Sequence, residues 1–375
     1  MSENKFRNQV ISACLANNIS EAALKEINQF SEELYGKRLF GELALPELII
    51  MKGKDSEGQS ALKSVDFQGQ SAPKVSFIVP THNRINLLPK CIEGILGQTY
   101  SNIEIIIIDD CSTDNTEEYI RENYVANEKV VYVRNEKNLG PGETRQKGYN
   151  VSSGEFIVFA DDDDFYFEPS FVQNAVRAFM EHDNVGLVCA NSLIYDVVGK
   201  QLSFYPLTYC GELAGEEFFA GFRTKYRKPN STFPAVFRRS VLDKADFKNM
   251  QMMNDTSIYL RAACYGDVYM LNICVGCYLV HDSNISKSLP HKFILENLDE
   301  KKNIYLIARE LFKKELEKWY VAQLMDTIKY YLESEKISFI KFSSILKWLM
   351  LNGGSAKKEL IITTCGIQKN RLCKH

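Results

Sequence analysis

Four consecutive carboxylates, Asp161 to Asp164, stand between the apolar run "EFIVFA" and the aromatics Phe165 and Tyr166. Like charges side by side repel, and burial pushes such groups toward their protonated forms. A hard divalent cation removes the conflict, because Mg2+ or Mn2+ takes oxygen ligands and keeps places for water or substrate phosphate. An isolated acidic run is more ordinarily a solvated turn capping the next helix, here "EPSFVQNAVRAF". This run is not isolated. Pro80, Thr81, Asn83 and Arg84 follow the apolar run "VSFIVP", and Asp109 and Asp110 end the run "IEIIIIDD". A carboxylate at that second position can accept hydrogen bonds from a nucleobase or ribose. Gly140 and Gly142 open a helical segment whose N-terminus could face an anion, with Arg145 one turn in to meet phosphate or base. Arg145 serves equally well as a surface arginine, and Asp255 before "TSIYLRAA" as a helix cap.

The segments between these clusters must place them. From Val75, short apolar runs alternate with helical patterns: "VSFIVP", "LLPKCIEGILGQT", "IEIIIIDD", "TDNTEEYIRENYV", "VVYVR", "ETRQKGYNVSS", "EFIVFA". That alternation predicts an α/β layer with a mostly parallel sheet flanked by helices. Such sheets bind ligands beyond the carboxyl ends of their strands. All three polar clusters sit at those ends, so they should share one rim. Residues 1–70 read as a helical N-terminal extension and linker, with Ser20 capping "EAALKEINQFSEELYG". Residues 71–290 read as the catalytic domain. Residues 291–375 read as a helical C-terminal region, with Ile304, Ile307, Leu311, Leu316, Tyr320, Leu324, Ile328 and Tyr331 at helical spacing.

The bulk numbers narrow the function classes. The chain has 375 residues, 45% hydrophobic and 25% charged, which is ordinary globular material. A net charge of -3 gives no electrostatic case for nucleic acid as a partner. The N-terminus lacks the apolar core of a signal peptide, and no stretch is apolar for long enough to span a membrane. The 10 cysteines are scattered; Cys274 and Cys277 form a CxxC, but strand-core thiols suit them better than a zinc site. These features predict a reduced, cytoplasmic compartment.

"VSFIVPTHNR", "QTYSNIEIIIIDDCSTDNT" and "NEKNLGPGETRQKGYNVSSGEFIVFADDDDF" resemble successive signature blocks of the family 2 glycosyltransferases. The resemblance covers roughly residues 75–285 and is densest up to Asp164. It implies the GT-A fold, a Rossmann-like α/β domain with an Asp-x-Asp motif, and an inverting, metal-dependent transferase using Mn2+ or Mg2+. It implies that Pro80, Thr81, Asn83 and Arg84 border the nucleotide, that Asp109 holds a uracil or its equivalent, and that Arg145 lies near base or phosphates. Asp161 would lie near the ribose, with Asp162 grouped on the donor side; Asp163 would hold the metal, joined by His281. Asp255, the second member of an Asn254-Asp255 pair where the family has two acids, would be the catalytic base. Cys111 stands where the family usually has Gly, a departure that alters the turn.

The activity so implied moves a hexosyl or N-acetylhexosaminyl group, from a nucleotide-sugar donor that is most simply a UDP-sugar. The acceptor would be a hydroxyl of a saccharide or lipid-linked saccharide, as in surface polysaccharide synthesis. Two rivals are weaker. A nucleotidyltransferase needs a glycine-rich basic loop after strand one, and "PTHNRINLLPK" has no glycine. A phospho-accepting signalling module leaves "FADDDDF" and "NDTSIYLRA" without a task. The stretch "FIKFSSILKWLML" with Lys357, Lys358, Lys369, Arg371 and Lys374 has two readings. One is packing against the catalytic domain or a second copy in a homo-oligomer; the other is peripheral contact with the inner face of a membrane.

Overall fold

The computed structural model describes residues 71–199, 201–281, 290–334 and 337–372. The N-terminal helices expected within residues 1–70 lie outside the described residues, as does Lys374.

The order of elements follows the alternation in the sequence. Strand β1 (Val75–Thr81), helix α1 (Leu88–Leu96), β2 (Ile103–Asp109), α2 (Thr116–Tyr124), β3 (Val130–Arg134), α3 (Pro141–Val151) and β4 (Phe156–Phe159) form the first half. Next come β5 (Phe165–Tyr166), α4 (Phe171–Glu181), β6 (Val185–Asp196), β7 (Gln201–Phe204), β8 (Gly211–Leu213), α5 (Gly215–Ala220), β9 (Ala235–Arg238) and α6 (Arg239–Lys244). Helix α7 (Asp255–Ala263) and the long β10 (Asp267–Val280) complete the sheet, and α8 (His291–Phe312), α9 (Glu317–Ser334), α10 (Phe339–Asn352) and α11 (Lys357–Leu372) follow.

The main path of the 10-stranded sheet runs β3-β2-β1-β4-β9-β6-β10-β5. Strands β3, β2, β1 and β4 are parallel, and β10 is parallel to β6, while β9 runs antiparallel to both of its neighbours. The strands are apolar on both faces because both faces are covered. Alternate residues divide between two cores: Phe77, Val79, Phe156 and Val158 pack with α1 and α4 on one side. Ile78, Ile157 and Phe159 pack on the other side, in a core continuous with α7 and with α8 to α11. The C-terminal helices thus share a core with the sheet. Most of their predicted stripe is buried, including Ile304, Leu324, Ile328 and Tyr331, but Leu311 is exposed. Cys274 and Cys277 are buried in β10, as strand-core thiols.

Register sets the rim. Thr81 pairs with Asp109 across β1 and β2, and Asp110 N donates to Thr81 O. Ala160 N donates to Ile78 O, so the aspartate run begins just past the end of β4 beside the β1 loop.

Candidate active site

The β1 loop turns sharply at Asn83, whose φ of 55° is left-handed. Asn83 N donates to Ser112 Oγ (2.9 Å) and its Oδ1 accepts from Thr113 N (2.7 Å), which ties the first loop to the second. Arg84 then reaches across to the aspartates: Nη1 lies 2.8 Å from Asp162 Oδ1 and 2.7 Å from Asp163 Oδ2. Burial alone would lower the guanidinium's proton affinity, but Asp162 and Asp163 outweigh it and hold the group firmly charged.

The second loop supports the rim from below. Asp109 is fully buried, accepting from Ser112 N (2.7 Å) and from the Tyr132 hydroxyl (2.5 Å). Asp110 accepts from Asn135 Nδ2, Leu139 N and Gly140 N, all at 2.8 Å, and so fixes the entry to α3. Both carboxylates spend their oxygens on the protein itself. Cys111 between them has φ 64°, the left-handed region where a Cβ costs roughly 1 kcal/mol or more, which explains why Gly suits this position better. The next helix is anchored by Asp114, which accepts from Thr116 N and from Ile85 N.

The four aspartates occupy four different environments. Asp161 is bonded by Arg145 Nη2 on one oxygen and by Ser231 Oγ (3.1 Å) on the other. Asp162 has Arg84 on one oxygen and lies against the buried Thr81 hydroxyl. Burial pushes the Asp162 carboxyl up to about 7, against the pull of Arg84. Asp163 meets both Arg84 and His281 Nε2 (3.0 Å) on one oxygen. Asp164 accepts from Leu279 N (3.2 Å), and its buried Oδ2 has no hydrogen-bond partner among the described residues. Burial, then Asp163 and Asp161, hold Asp164 well above the usual carboxylate range. Burial likewise raises Asp161, opposed by Arg145.

Oxygens of Asp161, Asp163 and Asp164 lie within 4.8 Å of one another. The residues fit a hard divalent cation: three carboxylates converge, and one of their oxygens is buried and unbonded. Asp164, to which the sequence assigned no role of its own, enters this group. His281 touches Asp163 but is not in the converging set.

Helix α7 brings Asp255 to the same rim. The cap is Asn254, not Asp255: Asn254 Oδ1 accepts from Ser257 N (2.9 Å). That leaves the Asp255 carboxylate without a hydrogen bond or ion pair among the described residues. Two contacts fix its side of the helix. Arg145, itself on Asp161, also donates from Nη1 to Met253 O (3.4 Å) just before the helix. One turn after Asp255 and on the same face, the Tyr259 hydroxyl donates to Ser231 O (3.1 Å), and Ser231 Oγ holds Asp161. Ser231 is a connecting residue that "NSTF" gave no sign of.

Residues 76–247 match the family model described as glycosyl transferase family 2. This part of the chain is similar to the family 2 glycosyltransferases. A relative from Campylobacter jejuni, the GalNAc(5)-diNAcBac-PP-undecaprenol beta-1,3-glucosyltransferase, is 30% identical over 193 residues, covering 50% of this chain and 59% of the relative. Glycosyltransferase GlyG of Streptococcus pneumoniae is 34% identical over 188 residues, covering 48% of this chain and 62% of the relative. The chain therefore spans about six-tenths of the length of these two relatives. The crystal structure of Staphylococcus aureus TarS 1-349 superposes with a TM-score of 0.58 at 15% identity, over 80% of this chain and 92% of that one. The same TarS segment in complex with UDP-GlcNAc gives 0.54. Both share the GT-A fold seen here, and the family 2 glycosyltransferase domain carries its acidic cluster at the carboxyl ends of the parallel strands, as the sequence predicted.

Proposed function

We propose that the protein is an inverting glycosyltransferase in which Asp255 is the catalytic base and the rim formed by the β1 loop, Arg145 and the aspartate run binds a nucleotide-sugar donor. The carrying observation is the carboxylate of Asp255: Asn254 takes over the capping, and Arg145 and Ser231 link its helix to Asp161. A carboxylate with no partner among the described residues, beside the donor, can accept a proton from an acceptor hydroxyl as that oxygen attacks the anomeric carbon from the face opposite the leaving group. Pro80, Thr81, Asn83 and Arg84 wall the nucleotide side. Thr81 lies against Asp162 on that side, and Arg145 orients Asp161. Asp109 lies beneath this wall, where Ser112 N and the Tyr132 hydroxyl hold its carboxylate in place.

Mn2+ or Mg2+ would be held by Asp161, Asp163 and Asp164, with His281 steadying Asp163, and would offset charge on the departing diphosphate. A UDP-sugar is the donor best supported, by the fold shared with the UDP-GlcNAc complex, and a lipid-linked saccharide the acceptor, by the name of the Campylobacter relative. The nucleotidyltransferase and signalling readings have no support in the family match. Residues 71–290 form the catalytic unit in this reading, with the C-terminal helices as its buttress.

Asp255→Asn keeps the shape and removes the base. The expected result is a turnover loss on the order of 10²- to 10⁴-fold, with UDP-GlcNAc affinity, measured calorimetrically with Mn2+, within a factor of about two. Near-wild-type turnover in this variant would take Asp255 out of the role.

A further inference from the structure

Helix α10 is apolar on two sides. Its inner face, Ile345, Trp348 and Leu349, is buried in the core shared with the sheet. At about 3.6 residues per turn, positions 339, 340, 343, 347, 350 and 351 share the opposite face. That face exposes Phe339 (84%), Ile340 (78%), Met350 (54%) and Leu351 (74%). Met350 continues across a shallow groove to Ile361 and Ile362 of α11, and Ile362 is itself 62% exposed. Isolated exposed apolar residues need no explanation, but large ones adjoining across two helices mark a surface that something covers.

The charges around the patch say what covers it. Lys347 lies within the apolar face, and Lys357 and Lys358 line the groove. Basic side chains ringing exposed Phe, Ile, Leu and Met are the signature of a helix lying in the interface of an anionic membrane. A nucleic acid would use the lysines and leave the apolar side chains in water. A second copy of this chain would place the same lysines against each other across a two-fold axis, with repulsion. No described helix is long and apolar enough to cross a membrane, so the contact is peripheral.

We propose that the outer face of α10 and the start of α11 dock onto a lipid surface with anionic headgroups. The docking is independent of transfer chemistry, and the assay reads binding without activity. Full-length protein would be floated with vesicles of phosphatidylglycerol and phosphatidylcholine, or of phosphatidylcholine alone. Flotation is expected only with the anionic vesicles and is weakened by salt. Lys347→Gln with Lys358→Gln should weaken it on the order of 30-fold, and Phe339→Ser with Ile340→Ser and Leu351→Ser should abolish it. All five side chains are exposed, so circular dichroism and melting temperature should not move. Absence of flotation by a monomeric protein overturns the proposal and hands the face to another segment of the chain. A dimer in light scattering that the serine variant dissolves, without flotation, overturns it in favour of a second copy.

Discussion

At the scale of single residues, burial decides what each acid and base can do. Asp255 and Asn254 show how one amide changes a role: with the cap supplied by Asn254, the neighbouring carboxylate is released for other work. The position of Asp255 was legible from the residues around it, whereas its freedom was not, because either side chain could have capped α7. Lys301 is the opposite case, a lysine 3% exposed in α8 whose one hydrogen-bond partner among the described residues is Gln323 Oε1 at 3.4 Å. Burial, then Arg223, lowers its ammonium to about 7 from an ordinary 10.5. Between those values the unfolded chain holds more protons than the folded one, so this group's contribution makes stability rise with pH through that window. Lys301→Met, which keeps the volume and drops the charge, should therefore stabilise the protein near pH 7, on the order of 1–2 kcal/mol. The difference from wild type should shrink toward pH 10. Melting curves at the two pH values test this, and a gain that does not depend on pH would deny the burial explanation.

At the scale of elements, the rim depends on how closely α3 approaches the sheet. Gly148 lies against β1 and β2: a Cβ there would stand 2.4 Å from Ile78 Cγ2 and 3.2 Å from Ile108 Cγ1. Gly148→Ala should cost about 1–3 kcal/mol, measured by denaturant unfolding. Because Arg145 is one turn earlier on the same helix, donor affinity should fall with it; an unchanged affinity would separate the helix's seating from the site. The strands and helices of this half were readable, since short continuous apolar runs and helical patterns alternate cleanly between Val75 and Ala160. The partners of the aspartates were less so. Arg84 and Ser231 reach the cluster from residues about eighty before and seventy after it, and no local pattern encodes such contacts. Asp164 was underrated for a related reason: whether a carboxylate in a run faces solvent or its neighbours depends on the backbone turn, not on composition.

At the scale of the whole molecule, helix α7 is locked to the C-terminal helices. Arg261 of α7 meets Glu300 of α8 through Nε (2.6 Å) and Nη2 (3.0 Å), with both side chains nearly buried. Trp348 Nε1 donates to Asp299 (2.7 Å), pulling α10 onto the same helix. Glu300→Ala leaves a buried guanidinium with only the Ala245 carbonyl and should destabilise by about 3–5 kcal/mol. Arg261→Met combined with Glu300→Met should recover much of that stability, in thermal unfolding of the full chain. If the single variant unfolds separately in two steps, the helices are a unit of their own and not part of one core. The segment from Arg223 to Ser231 joins the same two regions in another way. Arg223 pairs with Asp326 of α9 (3.5 Å), and Ser231 holds Asp161. The Arg223 end is held by a half-exposed ion pair and the Ser231 end by a contact at the aspartates, so the firmer anchor of the span is the one at the rim.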